Sequence, residues 1–309
     1  MASLRDLHIV EISSCVHTGK VNKIATIDGE ITKGANGWYT PRISTGGVAY
    51  LFNKIMDFGK KGDMIFVADR APLVKRAIYP EYKTHRLDQP QVTIQKEISE
   101  KILADCGYMV VYEEGYEADD VAYTLAEKYA SDYRNVYLHT DDSDMYIIVR
   151  DNVHCLPVRT GGKIVTRANY EYAVRKDMTT EYNSLTFLKM VYGATKDNVP
   201  ALPKNIQNKL LGMFWNETHF PHMRNRDFVK ALIGSVAPEA LDQFEIAYPM
   251  FVDSVSLGMV PDADWQKLKV WAQVVGNRKF GKPSAIPKDV KNKIISFFEE
   301  CNYADEVED

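Results

Sequence analysis

Cysteine is scarce in this sequence, with four residues in 309 and no Cys-x-x-Cys pair. In a chain of this length, that spacing argues for reduced core thiols rather than a disulfide framework, and against a cysteine zinc site. No run approaches the ~20 apolar residues that a bilayer-spanning helix needs, and the first residues lack the layout of a signal peptide. We therefore expect an unsecreted, soluble protein of the cytoplasm without a membrane partner.

An excess of positive charge is missing too, since the formal net charge is −4. Domains that bind nucleic acid are often basic, so this balance speaks mildly against such a partner. A net charge of −4 is compatible with a nucleic-acid partner if the basic residues are clustered and metal ions neutralise many of the acids. Hydrophobic residues make up 45% of the chain, which is enough for a substantial core. The length allows two domains at roughly 100–200 residues each.

What the first half does contain is a series of short apolar runs in alternation with segments of helical periodicity. The segments of helical periodicity predict helices over about residues 45–59, 94–105 and 119–130. This alternation predicts an α/β fold with a mostly parallel sheet that is covered on both faces. The predicted strands are Leu7–Ile12, Met64–Ala68, Met109–Tyr112 and Val136–His139.

Beyond the fourth predicted strand the pattern changes. A glycine turn between Val153–Val158 and Ile164–Thr166 predicts a hairpin. From about residue 180 onward the chain is mostly helical in pattern, and a soft domain boundary is placed there. Ser13 and Ser14, which follow the first predicted strand, are interpreted as a turn.

Each of the four predicted strands runs into acidic residues. Ligands of open parallel sheets bind beyond the carboxyl ends of the strands, so these side chains are expected to converge along one edge. A solvated loop or a helix cap is the simpler interpretation for any one of them, but the coincidence at four strands favours a site. Carboxylate oxygens in this number suit Mg²⁺ or Mn²⁺ rather than zinc. The residues are Glu11, Asp69, Glu117, Asp119, Asp120, Asp141, Asp142 and Asp144.

A basic and aromatic segment follows the second predicted strand. A solvated surface loop is the simpler interpretation, but beside an acidic metal edge such a cluster can neutralise phosphates, and tyrosine can stack an unpaired base. Interspersed prolines argue against an uninterrupted helix over Ala71–Gln91. Within 17 positions the segment contains Arg70, Lys75, Arg76, Tyr79, Tyr82, Lys83, His85 and Arg86.

Four segments resemble the signatures of the 5′-nuclease family, which comprises 5′→3′ exonucleases and flap endonucleases. Gly115–Val121 reads GYEADDV, and Thr140–Met145 reads TDDSDM. Asp69–Arg86 ends in PEYKTHR, and Tyr192–Pro200 reads YGATKDNVP. Order and separation agree with the family over roughly residues 7–215. Small bacteriophage members, flap endonucleases or RNase H, are the most similar in size and layout.

The resemblance implies a PIN-like nuclease domain over residues 1–180, with a basic arch or clamp at about 70–95. It also implies a helical DNA-binding region over residues 181–309 that contains a helix-hairpin-helix-like element. Phosphodiester hydrolysis would use two Mg²⁺ or Mn²⁺ ions about 4 Å apart. One ion would be bound by Glu11, Asp69, Glu117, Asp119 and Asp120. The other ion would be bound by Asp142, Asp144 and Asp197.

The same resemblance implies roles for basic residues and a substrate. Lys83 and Arg86 are expected to face the scissile phosphate as catalytic residues. The expected substrate is DNA or RNA–DNA hybrid with a 5′ flap or nick, cut during primer or flap removal in phage replication in the host-cell cytoplasm. A monomer is expected, with a single-strand-binding protein or a sliding clamp as candidate partners. Nucleic-acid-binding residues are expected to be Arg70, Lys75, Arg76, Tyr82, Lys204 and Lys209.

The sequence departs from the family pattern at three places. Glu11 stands where the family usually has Asp. Ala194 replaces the first Asp of the G-D-x-x-D-N signature, so the second metal position lacks a ligand. The family's glycines after D-N-V-P are absent, which leaves the grip on duplex DNA to Lys204 and Lys209. Two alternatives stay open: a weakened or inactive homologue that binds branched DNA or a protein partner, and a PIN-type ribonuclease that acts on RNA.

Overall fold

A parallel β-sheet forms the centre of the molecule. The computed structural model describes residues 5–22, 46–58, 61–86, 89–105, 108–159, 161–169, 191–214 and 226–251. The strands are β1 Asp6–Glu11, β2 Gly62–Val67, β3 Val110–Val111, β4 Val136–His139 and β5 Val153–Leu156. Their order in the sheet is β3-β2-β1-β4-β5, and each neighbouring pair is parallel. The predicted α/β fold with a mostly parallel sheet is confirmed.

Helices connect the strands and continue beyond the sheet. Short 3₁₀ helices lie at Ser143–Ile148, Arg167–Asn169, Thr195–Asp197 and Pro238–Ala240. The α-helices of the described ranges are α1 Ile12–Asn22, α2 Gly46–Phe58, α3 Leu73–Ile78, α4 Pro90–Asp105, α5 Ala118–Tyr129, α6 Lys204–Phe214, α7 Arg226–Val236 and α8 Leu241–Phe251.

Both faces of the sheet are covered, as the apolar runs require. Successive side chains of a strand point to opposite faces, and β1 illustrates the consequence. Leu7 and Ile9 pack in one core with residues of α5, whereas Val10 packs in another core with residues of α1, α2 and α4. β2 is buried over its whole length, which is the pattern of a parallel strand covered on both faces.

A third core lies outside the sheet. It contains Val199, Leu202 and Phe244 together with other residues of α6, α7 and α8, and it also contains Tyr82 from the basic segment. The chain after α3 is therefore packed against the helices of the later part of the sequence. The basic segment is divided as its prolines predict, because α3 ends at Ile78 and a run of turns occupies residues 80–85.

One sequence expectation about the connections of the sheet is wrong and another is incomplete. Ser13 and Ser14 do not form a turn but stand in the first turn of α1, which begins directly after β1. The hairpin predicted between Val153–Val158 and Ile164–Thr166 is borne out in part, because Cys155 and Val165 form an antiparallel bridge with two backbone hydrogen bonds of 3.0 and 2.8 Å. The sequence did not predict that β5 also pairs in parallel with β4. Local alternation cannot distinguish these pairings, because the partner strand is chosen by the whole sheet.

The domain boundary and the four cysteines differ in whether the structure describes them. The predicted domain boundary near residue 180 lies outside them, as do Cys106 and Cys301. Cys15 and Cys155 are buried free thiols, and burial raises the pKa of both. No helix in the described part of the chain has the length and apolar character that crossing a membrane requires.

Candidate active site

The acidic residues converge where the strand order changes direction. β1 has β2 on one side and β4 on the other, and such a switch point opens a crevice at the carboxyl ends of the strands. A cleft of about 1310 Å³ lies there. Acidic residues that line it include Glu11, Asp69, Glu117, Asp119 and Asp142, and basic residues that line it include Arg70, Arg76, Lys83, Arg86 and Lys96.

Glu11, the last residue of β1, is held by two hydroxyl groups. Its Oε2 accepts hydrogen bonds from Ser14 Oγ at 2.6 Å and from Thr140 Oγ1 at 2.8 Å. The first comes from α1 and the second from the end of β4, so the switch point itself orients the carboxylate. Burial, with the charge of Asp69 nearby, raises the pKa of Glu11 to about 7. The environment therefore lacks positive charge at this carboxylate.

Asp69 follows β2 and is surrounded by donors. Its Oδ1 accepts a hydrogen bond from the Ala118 N–H at 3.0 Å. Its Oδ2 accepts one from Ser13 Oγ and another from Lys96 Nζ at 3.1 Å. Burial alone would raise the pKa of Asp69, but the Lys96 charge and these hydrogen bonds outweigh it, and the pKa is lowered. Asp69 is therefore ionised and rigidly oriented at the cleft.

Glu117 and Asp120 are tied together at the start of α5. The Glu117 N–H donates to Asp120 Oδ2 at 3.1 Å, which satisfies one free amide of the helix end. Lys75 Nζ lies 3.0 Å from Glu117 Oε2 and 3.1 Å from Asp120 Oδ1. Gly115, just before, adopts a φ of 87°, and its carbonyl accepts a hydrogen bond from the Val74 N–H at 3.2 Å. The signature loop is thereby anchored to α3.

Lys83 joins the signature loop to the segment around Asp197. Its Nζ lies 2.5 Å from Glu117 Oε1 and 3.7 Å from Asp197 Oδ1, and its N–H donates to the Asp197 carbonyl at 3.1 Å. Arg86 Nη2 lies 2.5 Å from Asp197 Oδ1. Lys83 has a φ of 55°, a left-handed conformation that costs a non-glycine residue roughly 1–3 kcal/mol. The ion pairs and the backbone hydrogen bond maintain it.

The opposite electrostatic setting holds around Asp119. Burial, followed by the charges of Glu11, Asp142 and Glu117, raises the pKa of Asp119 well above its usual value. Asp142 caps the start of the 3₁₀ helix Ser143–Ile148, where its Oδ1 accepts a hydrogen bond from the Asp144 N–H at 2.9 Å. We call Glu11, Asp119 and Asp142 the acidic end of the cleft. We call Glu117, which lines the cleft, together with the two carboxylates that share its lysine partners, Asp120 and Asp197, the neutralised end.

Two predicted nucleic-acid-binding residues have positions that do not suit that role. Tyr82 is 3% exposed, its hydroxyl donates to Glu117 Oε2 at 2.9 Å, and it packs in the third core, so its ring has no open face for a base. Lys75 is 6% exposed and bound between two carboxylates. Burial argues against the predicted stacking by Tyr82 and against a direct phosphate contact of Lys75, because both side chains stand behind the cleft wall.

The remaining basic residues differ in whether they line the cleft. Arg76 lines the cleft, and its Nε donates to the Tyr82 carbonyl at 3.2 Å. Arg70 is held by Glu100 at 3.0 Å and lies over the Tyr112 ring at 3.6 Å. Lys204 and Lys209 are exposed on α6 and are not among the residues that line the cleft. The structure thus brings Arg70, Arg76, Lys83 and Arg86 to the cleft that the acids line.

Sequence reasoning missed four residues of the site. Lys96 comes from α4, outside the basic segment, and nothing in its local pattern indicates a cleft residue. Ser13 and Ser14 were interpreted as a turn, and Thr140 was quoted only as a motif letter. A signal existed for the serines, because hydroxyl residues directly after a strand that ends in Glu11 stand at the same sheet edge.

The donor set fits a hard divalent cation. All candidate ligands are carboxylate oxygens, which Mg²⁺ and Mn²⁺ prefer, and the raised pKa values of Glu11 and Asp119 mark an excess of negative charge. Within the described ranges, no three Asp, Glu, His or Cys side chains enclose an ion position as they stand. Lysine ammonium groups instead hold Asp69 and Glu117.

The sheet, its acidic carboxyl edge and its basic rim define a PIN-like nuclease domain. Residues 32–183 match the family model of the 5′-3′ exonuclease, N-terminal resolvase-like domain. This match confirms the resemblance of the domain to the 5′-3′ exonuclease family.

Sequence relatives of this domain are found in bacterial DNA polymerase I. The Mycobacterium tuberculosis polymerase is 34% identical over 128 residues, which are 40% of this chain and 14% of the relative. The thermostable polymerase of Thermus aquaticus is 30% identical over 150 residues, which are 46% of this chain and 17% of the relative. The chain thus spans less than a fifth of the length of either relative.

Solved structures of similar fold come from bacteriophage T5. The bacteriophage T5 D15 protein, co-crystallized with metal ions, has a TM-score of 0.55 at 15% identity and covers 96% of this chain and 99% of its own. The T5 D15 flap endonuclease complex with DNA and metal ions has a TM-score of 0.53 at 14% identity, with 98% and 100% coverage. At these identities the likeness concerns the fold.

Proposed function

We propose that the chain is a divalent-metal-dependent 5′→3′ exonuclease and structure-specific flap endonuclease that hydrolyses phosphodiester bonds of DNA or RNA–DNA hybrid near 5′ ends. One observation carries the proposal. Buried carboxylates with raised pKa values, Glu11 and Asp119, share a cleft with Lys83 and Arg86. Cations suit the first group and phosphates suit the second. The T5 relatives of similar fold bind metal ions and DNA.

Each group has a separate task in this proposal. Metal ions, when bound, supply an activated water and stabilise the leaving oxygen. Glu11, Asp69, Asp119 and Asp142 orient the ions through their carboxylates. Lys83 and Arg86 hold the phosphate, because their ion pairs with Glu117 and Asp197 leave further N–H groups at the cleft.

Substrate recognition is proposed to extend beyond the cleft. In this proposal residues 1–180 are the nuclease domain and residues 181–309 the helical DNA-binding region. The exposed Lys204 and Lys209 on α6 are candidates for duplex phosphate contacts. The chain would act as a monomer in phage replication, on primers or flaps. The fold shared with the T5 protein supports this setting.

The test is cleavage of a labelled 5′-flap duplex and a nicked duplex with Mg²⁺ or Mn²⁺. Asp119→Asn and Asp142→Asn are expected to lose cleavage while they keep DNA binding. Asp132→Asn is the matched control, since Asp132 is exposed in the turn after α5 and pairs only locally with Ser131 in the described contacts. Absence of cleavage on every branched, nicked and single-stranded substrate with either metal would refute the proposal.

A second candidate is a homologue that binds branched DNA without cutting it. Ala194 favours it, because the loop that carries Asp197 lacks one carboxylate and Asp197 is already paired with Arg86 at 2.5 Å. This candidate requires that flap binding survives chelation and that the carboxylate variants behave as wild type. Adding RNA and RNA–DNA hybrid to the substrate panel separates both from a PIN-type ribonuclease.

A further inference from the structure

Lys96 stands at the first carboxylate of the cleft, although it belongs to neither the basic segment nor a family signature. Its Nζ lies 3.1 Å from Asp69 Oδ2. The same oxygen accepts a hydrogen bond from Ser13, and Oδ1 accepts one from the Ala118 N–H at 3.0 Å. Asp69 therefore has three donors in the protein itself, and Lys96 is the one that carries a full charge.

The backbone of Lys96 is fixed by its neighbours in α4. Gln95 is fully buried, and its Oε1 accepts a hydrogen bond from the Gly47 N–H at 2.8 Å. Ser99 is also fully buried and donates to the Gln95 carbonyl at 2.7 Å. The ammonium group can therefore leave Asp69 only by rotation of its own side chain. That side chain is 24% exposed and lines the cleft, so the rotation has room.

We propose that Lys96 is a resident cation of the cleft, a positioning residue that holds Asp69 in the ion-free protein and competes with a divalent cation for it. The inference rests on the proposed metal dependence. An ion bound to Asp69 would lie within a few ångströms of the ammonium group, and like charges at that distance repel strongly in a partly buried site. Lys96 must then turn away, and the free energy of ion binding is reduced by the cost of breaking its ion pair.

The consequence is a cleft that requires more free cation than its number of carboxylates indicates. Lys75 and Lys83 cannot serve in the same way, because each is bound between two carboxylates at the neutralised end. Lys96 has a single carboxylate partner in the described contacts, and this partner is a predicted metal ligand. Its removal should therefore act on cation affinity and not only on folding.

The experiment is a calorimetric titration of Mn²⁺ into the full-length protein without DNA. Lys96→Met keeps the length of the side chain and removes the charge, so the Kd for Mn²⁺ is expected to fall on the order of tenfold. Lys96→Arg is expected to restore the wild-type Kd. Lys230→Met is the matched control, because Lys230 forms a comparable ion pair with Glu245 at 2.5 Å between α7 and α8.

Thermal unfolding with a chelator and with Mn²⁺ provides a second reading. Lys96→Met is expected to melt lower than wild type in chelator and to gain more from Mn²⁺; unfolding in chelator with recovery in Mn²⁺ would give the same support. Suppose that wild type binds Mn²⁺ and cleaves flaps, but that the Kd for Mn²⁺ is unchanged or higher in Lys96→Met. This inference about Lys96 is then overturned, whereas the proposed function is not. If neither protein binds Mn²⁺, both this inference and the proposed metal dependence fail.

Discussion

The two ends of the cleft present carboxylates in opposite electrostatic settings. At the acidic end, burial and neighbouring carboxylates raise the pKa of Glu11 to about 7 and raise that of Asp119 well above its usual value. At the neutralised end, burial would raise the pKa of Glu117, but Lys75 and Lys83 outweigh it and lower the pKa to about 2. Residues with the same side-chain chemistry thus differ because of the cations that the fold places beside them.

This difference indicates a division of labour. A cation gains most at the acidic end, where no lysine or arginine in the described contacts pairs with Glu11. A phosphate gains most at the neutralised end, where Lys83 and Arg86 already face the cleft. The sequence already predicted two unequal sets of carboxylates, because Ala194 removes a ligand from the set of Asp142, Asp144 and Asp197. The structure adds a different inequality, since in the described contacts lysines neutralise Glu117 but not Glu11.

The largest effect is expected from removal of the buried cation at the neutralised end. In Lys75→Met the carboxylates of Glu117 and Asp120 lose a partner whose side chain is 7% exposed. The free energy of unfolding should therefore fall by roughly 3–5 kcal/mol. Urea denaturation measures it. Lys128→Met, at an exposed position of α5, should remain close to wild type. An unchanged urea midpoint in Lys75→Met would contradict the assignment of Lys75 as the structural cation.

A somewhat smaller effect is expected on cleavage from Lys83→Met. Its ammonium group lies 2.5 Å from Glu117 Oε1 and 3.7 Å from Asp197 Oδ1, so it contacts both the signature loop and Asp197. Loss of such a preorganised charge should reduce the single-turnover rate on a 5′-flap on the order of 10²–10³-fold. Lys163→Met, in the exposed turn after β5, serves as control. A wild-type rate would show that phosphate positioning does not depend on the neutralised end.

The pH dependence of stability separates the two ends by sign. In chelator, Glu11 keeps its proton in the folded state up to a pH of about 7, above the pH at which the unfolded chain releases it. Stability should therefore decline as the pH rises from about 4.5 to 7, by up to about 3 kcal/mol from Glu11, and Glu11→Gln should remove this part of the decline and leave the part that comes from Asp119. The stabilisation from Glu117 is instead lost as the pH falls from 4.5 towards about 2.

Denaturation curves over this pH range, for wild type and Glu11→Gln, measure both trends. Saturating Mg²⁺ should flatten the decline at the acidic end, since a bound cation removes the excess negative charge. Parallel curves for the two proteins between pH 4.5 and 7 would sink the interpretation of Glu11 as an uncompensated carboxylate.

The smallest effect is expected outside the cleft. Lys209 is 51% exposed, and its Nζ lies 3.8 Å from Glu239 Oε1, so it adds little to stability. If it contacts a duplex phosphate, Lys209→Ala should weaken duplex binding a few-fold and reduce the slope of log affinity against log salt by about 1. Fluorescence anisotropy over a salt series measures both. An unchanged slope would remove Lys209 from the DNA-binding surface.

Much of the fold and part of the site could be predicted from local patterns. Apolar runs such as Met64–Ala68 identified strands, and the acids after them identified the edge at which the cleft opens. The parallel pairing of β5 with β4 was not predicted, because parallel and antiparallel edge strands have the same short alternation. Tyr82 was predicted as a stacking residue, and its burial was not foreseen. That burial depends on helices more than a hundred residues later in the sequence, and no local pattern indicates the contact.

By itself the sequence determined the class of chemistry, because strand periodicity and the GYEADDV signature depend on residues close together in the chain. The tertiary structure alone decided which carboxylates are neutralised. Thr140 reaches Glu11, Lys96 reaches Asp69 and Lys75 reaches Glu117 across 129, 27 and 42 positions. These residues come into contact because the fold brings them to the carboxyl edge of the parallel sheet. The protonation and charge of each carboxylate therefore depend on tertiary contacts rather than on its neighbours in the sequence.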